Sequence, residues 1–245
     1  GVGALALFAL TVPRPAAAGD APASLLTEMR QGWTEFRSRA WLWVTTAQMG
    51  LFNLLVWAPF LVLGPLTADR RLGGAWAWGV IMAVYGGGAV VGGLLMLGRR
   101  PARPLVVATA AGLVWGLPSG ALAAGANVAV TACAAGVAGV GSAIVATLYA
   151  STNQQHVPQE ALGRVMSFGS LGAFVLGPVG LAAAGPVAEQ VGVAAVLAFG
   201  LVWQLAASTV VLTVPAIHTL RAYRSPPGPR PAGPADAAEP ADVRA

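Results

Sequence analysis

The sequence has few charged residues and no lysine. Of its 245 residues, 9% are Asp, Glu, Lys or Arg, the basic residues are fourteen arginines, and 56% of the chain is hydrophobic. Soluble domains carry about 25% charged residues. The composition therefore excludes an ordinary soluble enzyme or nucleic-acid-binding domain and indicates an integral membrane protein.

Residues that bind metals or perform nucleophilic chemistry are scarce. Cys133 is the only cysteine, which excludes an intramolecular disulfide, and its apolar neighbours favour a small buried hydrophobic residue. His156 and Glu160 are four residues apart, but no third ligand or nucleophile lies near them. No Gly-rich nucleotide loop of the Walker type is present. We predict no catalytic residue, metal or cofactor, and no enzyme activity.

Charged residues divide the chain into uncharged stretches that are long enough to cross a bilayer. A membrane-spanning helix needs about 20 apolar residues, and five intervals between Arg39 and Arg221 meet that length. The longest, from Arg103 to Glu160, holds two spans separated by a turn signal at 125–127. No period-two alternation supports a β-barrel. We predict an all-α integral membrane protein with six helices at 40–64, 75–97, 104–124, 127–150, 165–186 and 193–216.

The arginines cluster on alternate loops. Short loops rich in Arg stay cytoplasmic, and one side of the predicted bundle carries Arg30, Arg37, Arg39, Arg99, Arg100, Arg103, Arg164, Arg221 and Arg224. The other side carries a loop at 69–71 and Glu189. We predict that both ends of this segment are cytoplasmic.

The two ends differ in composition from the bundle. Residues 1–12 are predicted to be the end of a truncated transmembrane helix, 13–39 a cytoplasmic linker with an amphipathic helix, 40–217 the six-helix transmembrane bundle, and 218–245 a disordered cytoplasmic tail. The amphipathic stripe consists of Leu26, Met29, Trp33 and Phe36.

Glycines and one proline predict close packing and a bend. Gly88 and Gly92 are four residues apart, as are Ala89 and Gly93, and such small faces let helices approach closely. Gly177-Pro178 falls within the fifth predicted span, where proline removes a backbone hydrogen bond and can kink a helix. The kink is either passive or part of a conformational change.

Polar side chains within the spans are few, and each is costly in lipid unless it faces protein or water. Two interpretations fit them, hydrogen bonds between helices or contacts to a large amphipathic ligand. The candidate substrate-binding residues are Gln48, Asn53, Trp57, Tyr85, Ser142, Tyr149 and Gln204. No predicted span contains Asp, Glu, His, Lys or Arg, so these spans hold no proton relay.

The stretch QQHVPQEALGRVMSFGSLGAFVLGPVG, at 154–180, places a polar loop before an apolar span. It resembles the loop and eleventh helix of major facilitator superfamily transporters, in the drug-exporting branch related to macrolide efflux proteins. The segment GGLLMLGRRPARP is similar to an arginine-rich cytoplasmic loop of that family, without its usual acidic residue. The resemblance implies a gating or structural role for Arg99, Arg100, Arg164, Gly177 and Pro178.

The resemblance also implies a fold and a function. The chain would be the second six-helix half of a twelve-helix transporter, with the N-terminal half missing, in the plasma membrane. Its partners would be the bilayer, a small amphipathic substrate and that missing half. The expected activity is proton-coupled efflux of drugs or toxic metabolites. Alternatives are export of siderophores or other natural products, the membrane part of an ATP-driven exporter, or a non-transporting assembly protein.

Overall fold

The computed structural model describes residues 36–157 and 175–220, together with Arg30, Trp33, Thr34, Gly163, Met166, Ser167 and 169–172. Six helices within these residues are long and apolar enough to cross a membrane. They are α1 (Ala40–Arg71), α2 (Ala75–Met96), α3 (Pro104–Ala123), α4 (Val128–His156), α5 (Leu176–Val191, within a candidate span Gly169–Val191) and α6 (Val193–Thr213), and a short α7 (Pro215–Thr219) follows. The predicted all-α six-helix fold is confirmed.

The predicted turn between the third and fourth spans is present. Gly125 adopts a φ of 70°, which favours glycine. The Oδ1 atom of Asn127 then accepts a hydrogen bond of 3.0 Å from the amide of Val130, capping α4. Gly125 and Asn127 therefore mark the boundary between α3 and α4, where no charged residue lies.

Two helices extend beyond their predicted ends. The polar residues at 69–71, predicted to form a loop, are the last turn of α1, and 154–156 are the last turn of α4. Charged side chains do not end a helix, because its backbone hydrogen bonds are local, and basic residues suit its C-terminal end. The turn after α1 instead contains Gly73 and Gly74, whose φ angles are 91° and 102°.

Two helices depart locally from α geometry. In α1, Asn53–Trp57 form a π-helical segment, and Nδ2 of Asn53 donates to the carbonyl of Met49 at 2.9 Å. In α3, Leu113–Gly116 form a 3-10 segment. Pro118 follows and lacks the amide that would bond the carbonyl of Val114, which instead accepts from the amide of Leu117. Π-helical turns are frequent at functional sites.

Glycines bring α2 and α4 into close contact. A Cβ added at Gly88 would meet the backbone of Gly136, and one added at Gly92 would meet the backbone of Val140. The predicted packing role of Gly88 and Gly92 is therefore confirmed. No described residue lies within 4 Å of a Cβ added at Gly93, so a packing role there stays a prediction. One residue turns a helix by about 100°, so Gly93 faces away from α4.

The linker and α7 pack at the same end of the bundle. Phe36 and Ile217 are buried together with Trp41, Leu105 and Val157 in one hydrophobic cluster. The amphipathic stripe is thus present in part, with Trp33 stacked on Phe36 at a ring distance of 5.8 Å. Residues 1–29 and 221–245, including the truncated helix and most of the predicted tail, lie outside the described residues.

Candidate functional site

A cavity opens between α1, α3 and α4, and we call it the inner cavity. Its empty volume is about 580 Å³, including the part open to solvent. It is lined by Thr45, Thr46, Gln48, Met49, Leu105, Ala108, Thr109, Gly112, Trp115, Val145, Tyr149 and Gly169. None of these side chains carries a formal charge at neutral pH. Early residues of α1 and α3 line it, so it lies in the half of the bundle nearer Arg99 and Arg100.

Tyr149 joins two walls of the inner cavity. Its hydroxyl lies 3.0 Å from Oγ1 of Thr45, which itself donates to the carbonyl of Trp41 at 2.7 Å. Because the hydroxyl hydrogen of Thr45 is used in that bond, the Tyr149 hydroxyl is the donor to Thr45. This predicted site residue therefore lines a cavity and also links α4 to α1.

A network of neutral side chains connects α6 to α1 and α3. Gln204 is fully buried, and its Nε2 atom donates to the carbonyl of Gly112 at 2.8 Å and to Oγ of Ser208 at 3.1 Å. Gln48, which lines the inner cavity, donates to the same Ser208 oxygen at 3.1 Å. Gln204, one of the candidate substrate-binding residues, does not line the inner cavity, and its bonds fit the other interpretation, a hydrogen bond between helices.

Two polar atoms on residues of the inner cavity wall are closed to solvent and make no hydrogen bond to the described residues. They are Oγ1 of Thr46 and Nε1 of Trp115, and each is buried. A buried polar atom without a partner costs about 1–3 kcal/mol. The candidate substrate-binding residues chosen from the sequence did not include Thr46 and also left out Trp115. Its position in the middle of a predicted span, away from the membrane interface, was the available signal.

A second, smaller cavity continues from Trp115, and we call it the aromatic cavity. Its empty volume is about 250 Å³, and its lining includes Phe52, Trp57, Tyr85 and Ser119 as well as Trp115. The rings of Trp57 and Tyr85 are 5.5 Å apart, and those of Phe52 and Trp115 are 4.4 Å apart. The structure therefore brings the predicted residues Trp57 and Tyr85 together, but away from Gln48 and Tyr149.

Two other predicted site residues line neither cavity. Asn53 is 8% exposed and bonds the carbonyl of Met49 in its own helix. Ser142 is half-buried on α4. Both are absent from the walls of the inner and aromatic cavities.

Four of the five predicted gating or structural residues are among those that the structure describes. Arg99 and Arg100 are exposed after α2, and Arg164 lies outside the described residues. Gly177 and Pro178 lie in α5 and within the candidate span Gly169–Val191, as predicted. Residues 173 and 174, shortly before α5, are not among those described, so a bend at this point stays a prediction.

The chain just before α5 crosses α1 beside the inner cavity. A Cβ added at Gly50 would lie 2.6 Å from the carbonyl oxygen of Gly172, and one added at Gly172 would lie 2.6 Å from Cγ2 of Thr46. Gly169 lines the cavity itself. Glycine at these positions therefore lets two backbones meet at the cavity wall.

The described residues contain no group of three or more His, Cys, Asp or Glu placed to hold a metal ion. Cys133 is exposed on α4, so its interpretation as a buried residue is wrong. Its apolar neighbours in sequence are compatible with a lipid-facing position, because the outer surface of a membrane helix is apolar.

Comparison with known proteins gives one match. A family model described as Major Facilitator Superfamily matches residues 1–181. Neither the search of curated proteins nor that of solved structures returned a match.

Proposed function

Since the chain belongs to the major facilitator superfamily, a family of membrane transporters, we propose that it forms half of a proton-coupled exporter of drugs or toxic metabolites. The family is generally non-enzymatic, and the helices make this chain a multi-pass membrane protein. The export of drugs is supported by the resemblance of the stretch at 154–180 to the drug-exporting branch. The plasma membrane is the proposed location, with both ends of this segment cytoplasmic.

The observation that carries the proposal is the inner cavity, which no charged residue lines. Its lining is apolar apart from neutral hydroxyl, amide and indole groups. A substrate that presents an apolar surface to Met49 and neutral hydrogen-bonding groups to the partly buried side chains of Gln48 and Tyr149 would suit this lining. Amphipathic molecules without an obligatory charge have those properties.

The position of the cavity supports loading from the cytoplasm. The inner cavity lies nearer the end of the bundle that bears Arg37, Arg39, Arg99, Arg100 and Arg103. Arginine-rich ends are retained in the cytoplasm. The glycine contact between Gly50 and Gly172 beside the cavity is where α1 and the fifth span would separate during alternating access.

A partner half is proposed from the unequal burial of the helices. In their most apolar windows, 50% of α1 is buried, whereas 11% of α2 and 19% of the fifth span are buried. We assign the exposed faces of α2 and the fifth span to contacts with a second six-helix half and with lipid. Because the inner cavity is lined by no carboxylate, the acid that couples transport to protons would lie in that other half.

The energy source can be tested with the intact transporter in cells whose ATP level is maintained. A protonophore should restore accumulation of a macrolide or an amphipathic fluorescent dye to the level of cells without the transporter. Residues 1–245 expressed alone should insert in the membrane and export nothing. Efflux that survives the protonophore and stops on ATP depletion would refute proton coupling.

The cavity can be tested with a matched pair of threonine variants. Thr45→Val removes a partly buried hydroxyl from a residue that lines the inner cavity, with little change in shape, and should lower efflux for some substrates and not others. Thr209→Val removes a hydroxyl that is exposed on α6 and bonds the carbonyl of Leu205, and should leave every substrate unchanged. Equal effects of both variants would show that the inner cavity does not contact the substrate.

A further inference from the structure

Another cavity lies at the end of the bundle opposite Arg99 and Arg100, and we call it the arginine cavity. It has an empty volume of about 380 Å³ between the end of α1, the end of α3 and the start of α6. Two of its lining residues are Arg70 and Arg71, in the last turn of α1. The rest of the wall is apolar except for Thr67.

The two guanidinium groups have no protein partner among the described residues. Neither side chain forms a hydrogen bond or an ion pair there, and both are exposed. The carboxylates described at this end, Asp69 and Glu189, are exposed and are not part of the cavity wall. The hydroxyl hydrogen of Thr67 is not available to a ligand, because it is donated to the carbonyl of Leu63 at 2.7 Å. The arginine cavity therefore offers ten guanidinium N–H donors and no carboxylate.

Local placement, not overall charge, distinguishes this cavity. The positive charges of the two arginines equal the negative charges of the two described carboxylates at this end, whereas the opposite end carries an excess of arginine. Diffuse attraction of anions would therefore favour the opposite end. A specific site at Arg70 and Arg71 depends on both side chains bordering one concave surface.

The cavity combines cationic groups with an apolar wall at the end of membrane-spanning helices. Guanidinium groups bind phosphate oxygens through paired N–H donors, and lipid headgroups lie at the depth where spanning helices end. Leu66 and Val193, which are partly exposed, would contact the apolar part of the same molecule. We propose that the arginine cavity binds the phosphate group of an anionic membrane phospholipid. A free inorganic phosphate would use the cationic groups alone and leave the apolar wall uncovered.

Lipid binding can be measured by native mass spectrometry of the purified protein, with phosphatidylglycerol added to the detergent. Replacement of both arginines by Arg70→Gln and Arg71→Gln should weaken this binding by about 25-fold, about fivefold for each charge removed near an anionic lipid. The control is Arg99→Gln with Arg100→Gln, which removes the same charge from the opposite end and should change binding by less than about twofold. Both double variants should keep the melting temperature of the lipid-free protein, since all four side chains are exposed.

Three outcomes would overturn the proposal. The first is equal loss of phosphatidylglycerol binding in the two double variants, which would show diffuse attraction. The second is unchanged binding in the Arg70 and Arg71 variant. The third is displacement of the lipid by inorganic phosphate at millimolar concentration, which would show a simple anion site. None of these results depends on transport, so the proposal stands or fails separately from the export function.

Discussion

Adjacent glycines on α2 provide a matched test of helix packing. A Cβ added at Gly88 would lie 2.8 Å from the carbonyl carbon and 3.0 Å from Cα of Gly136, and closer still to its carbonyl oxygen. Backbone atoms of α4 cannot move aside as a flexible side chain can. A Cβ added at Gly87, one residue earlier, would meet nothing within 4 Å. Gly88→Ala and Gly87→Ala are therefore the same chemical change in two different environments.

The expected difference follows from two terms. Replacing glycine by alanine within a helix stabilises it by about 1 kcal/mol at either position. At Gly88 alone, the added methyl group forces α2 and α4 apart, and such overpacking costs about 1–3 kcal/mol. Gly88→Ala should therefore lower the free energy of unfolding by about 1–3 kcal/mol relative to Gly87→Ala, which corresponds to a factor of about 5–150 in the unfolding equilibrium.

The free energy can be measured by titrating the 245-residue chain in mixed micelles with sodium dodecyl sulfate and following tryptophan fluorescence. The midpoint for Gly87→Ala should equal or exceed that of the unmodified chain. The midpoint for Gly88→Ala should be lower than that for Gly87→Ala. Equal midpoints for the two variants would refute the close contact between α2 and α4.

Three further predictions concern the polar network, the fifth span and the topology. Gln204→Leu removes the hydrogen bond to the carbonyl of Gly112 and should cost about 1–3 kcal/mol in the same unfolding titration; an unchanged midpoint would contradict the network. Pro178→Ala should change the transport rate of the intact protein more than its abundance in the membrane, whereas reduced abundance with an unchanged rate would support a passive role. A reporter fused after Tyr223 should behave as cytoplasmic and one inserted near Gly73 as external, and a tail reporter found outside would refute the predicted orientation.

The number and type of helices could be predicted from sequence because both depend on local properties. A stretch of about 20 residues without charge identifies a membrane span. The helix cap at Asn127 separates the third and fourth spans, between which no charged residue lies. The ends of α1 and α4 were placed too early because polar residues were taken as a boundary. Polar side chains only make the lipid interior unfavourable, and a helix continues into water as long as its backbone bonds persist.

The composition of the site was harder to predict because it depends on how each helix is rotated against its neighbours. Gln48 and Gln204 have the same side chain, yet one borders the inner cavity and the other is enclosed between α6 and α3. Trp115 became a shared wall of two cavities through the 3-10 segment of α3. That segment changes the direction in which the side chain points, and helical periodicity alone does not predict it.

The central claim is that the inner cavity receives the transported substrate, and cysteine protection tests it directly. Met49→Cys, in an intact transporter with Cys133→Ala, places a thiol in the cavity wall, and Arg99→Cys places a control thiol on the exposed loop after α2. A transported amphipathic dye at saturating concentration should slow modification of the Met49→Cys thiol by a water-soluble thiol reagent by about tenfold, and leave the Arg99→Cys rate unchanged. Equal rates with and without dye at Met49→Cys, under conditions in which the dye is exported, would contradict the account.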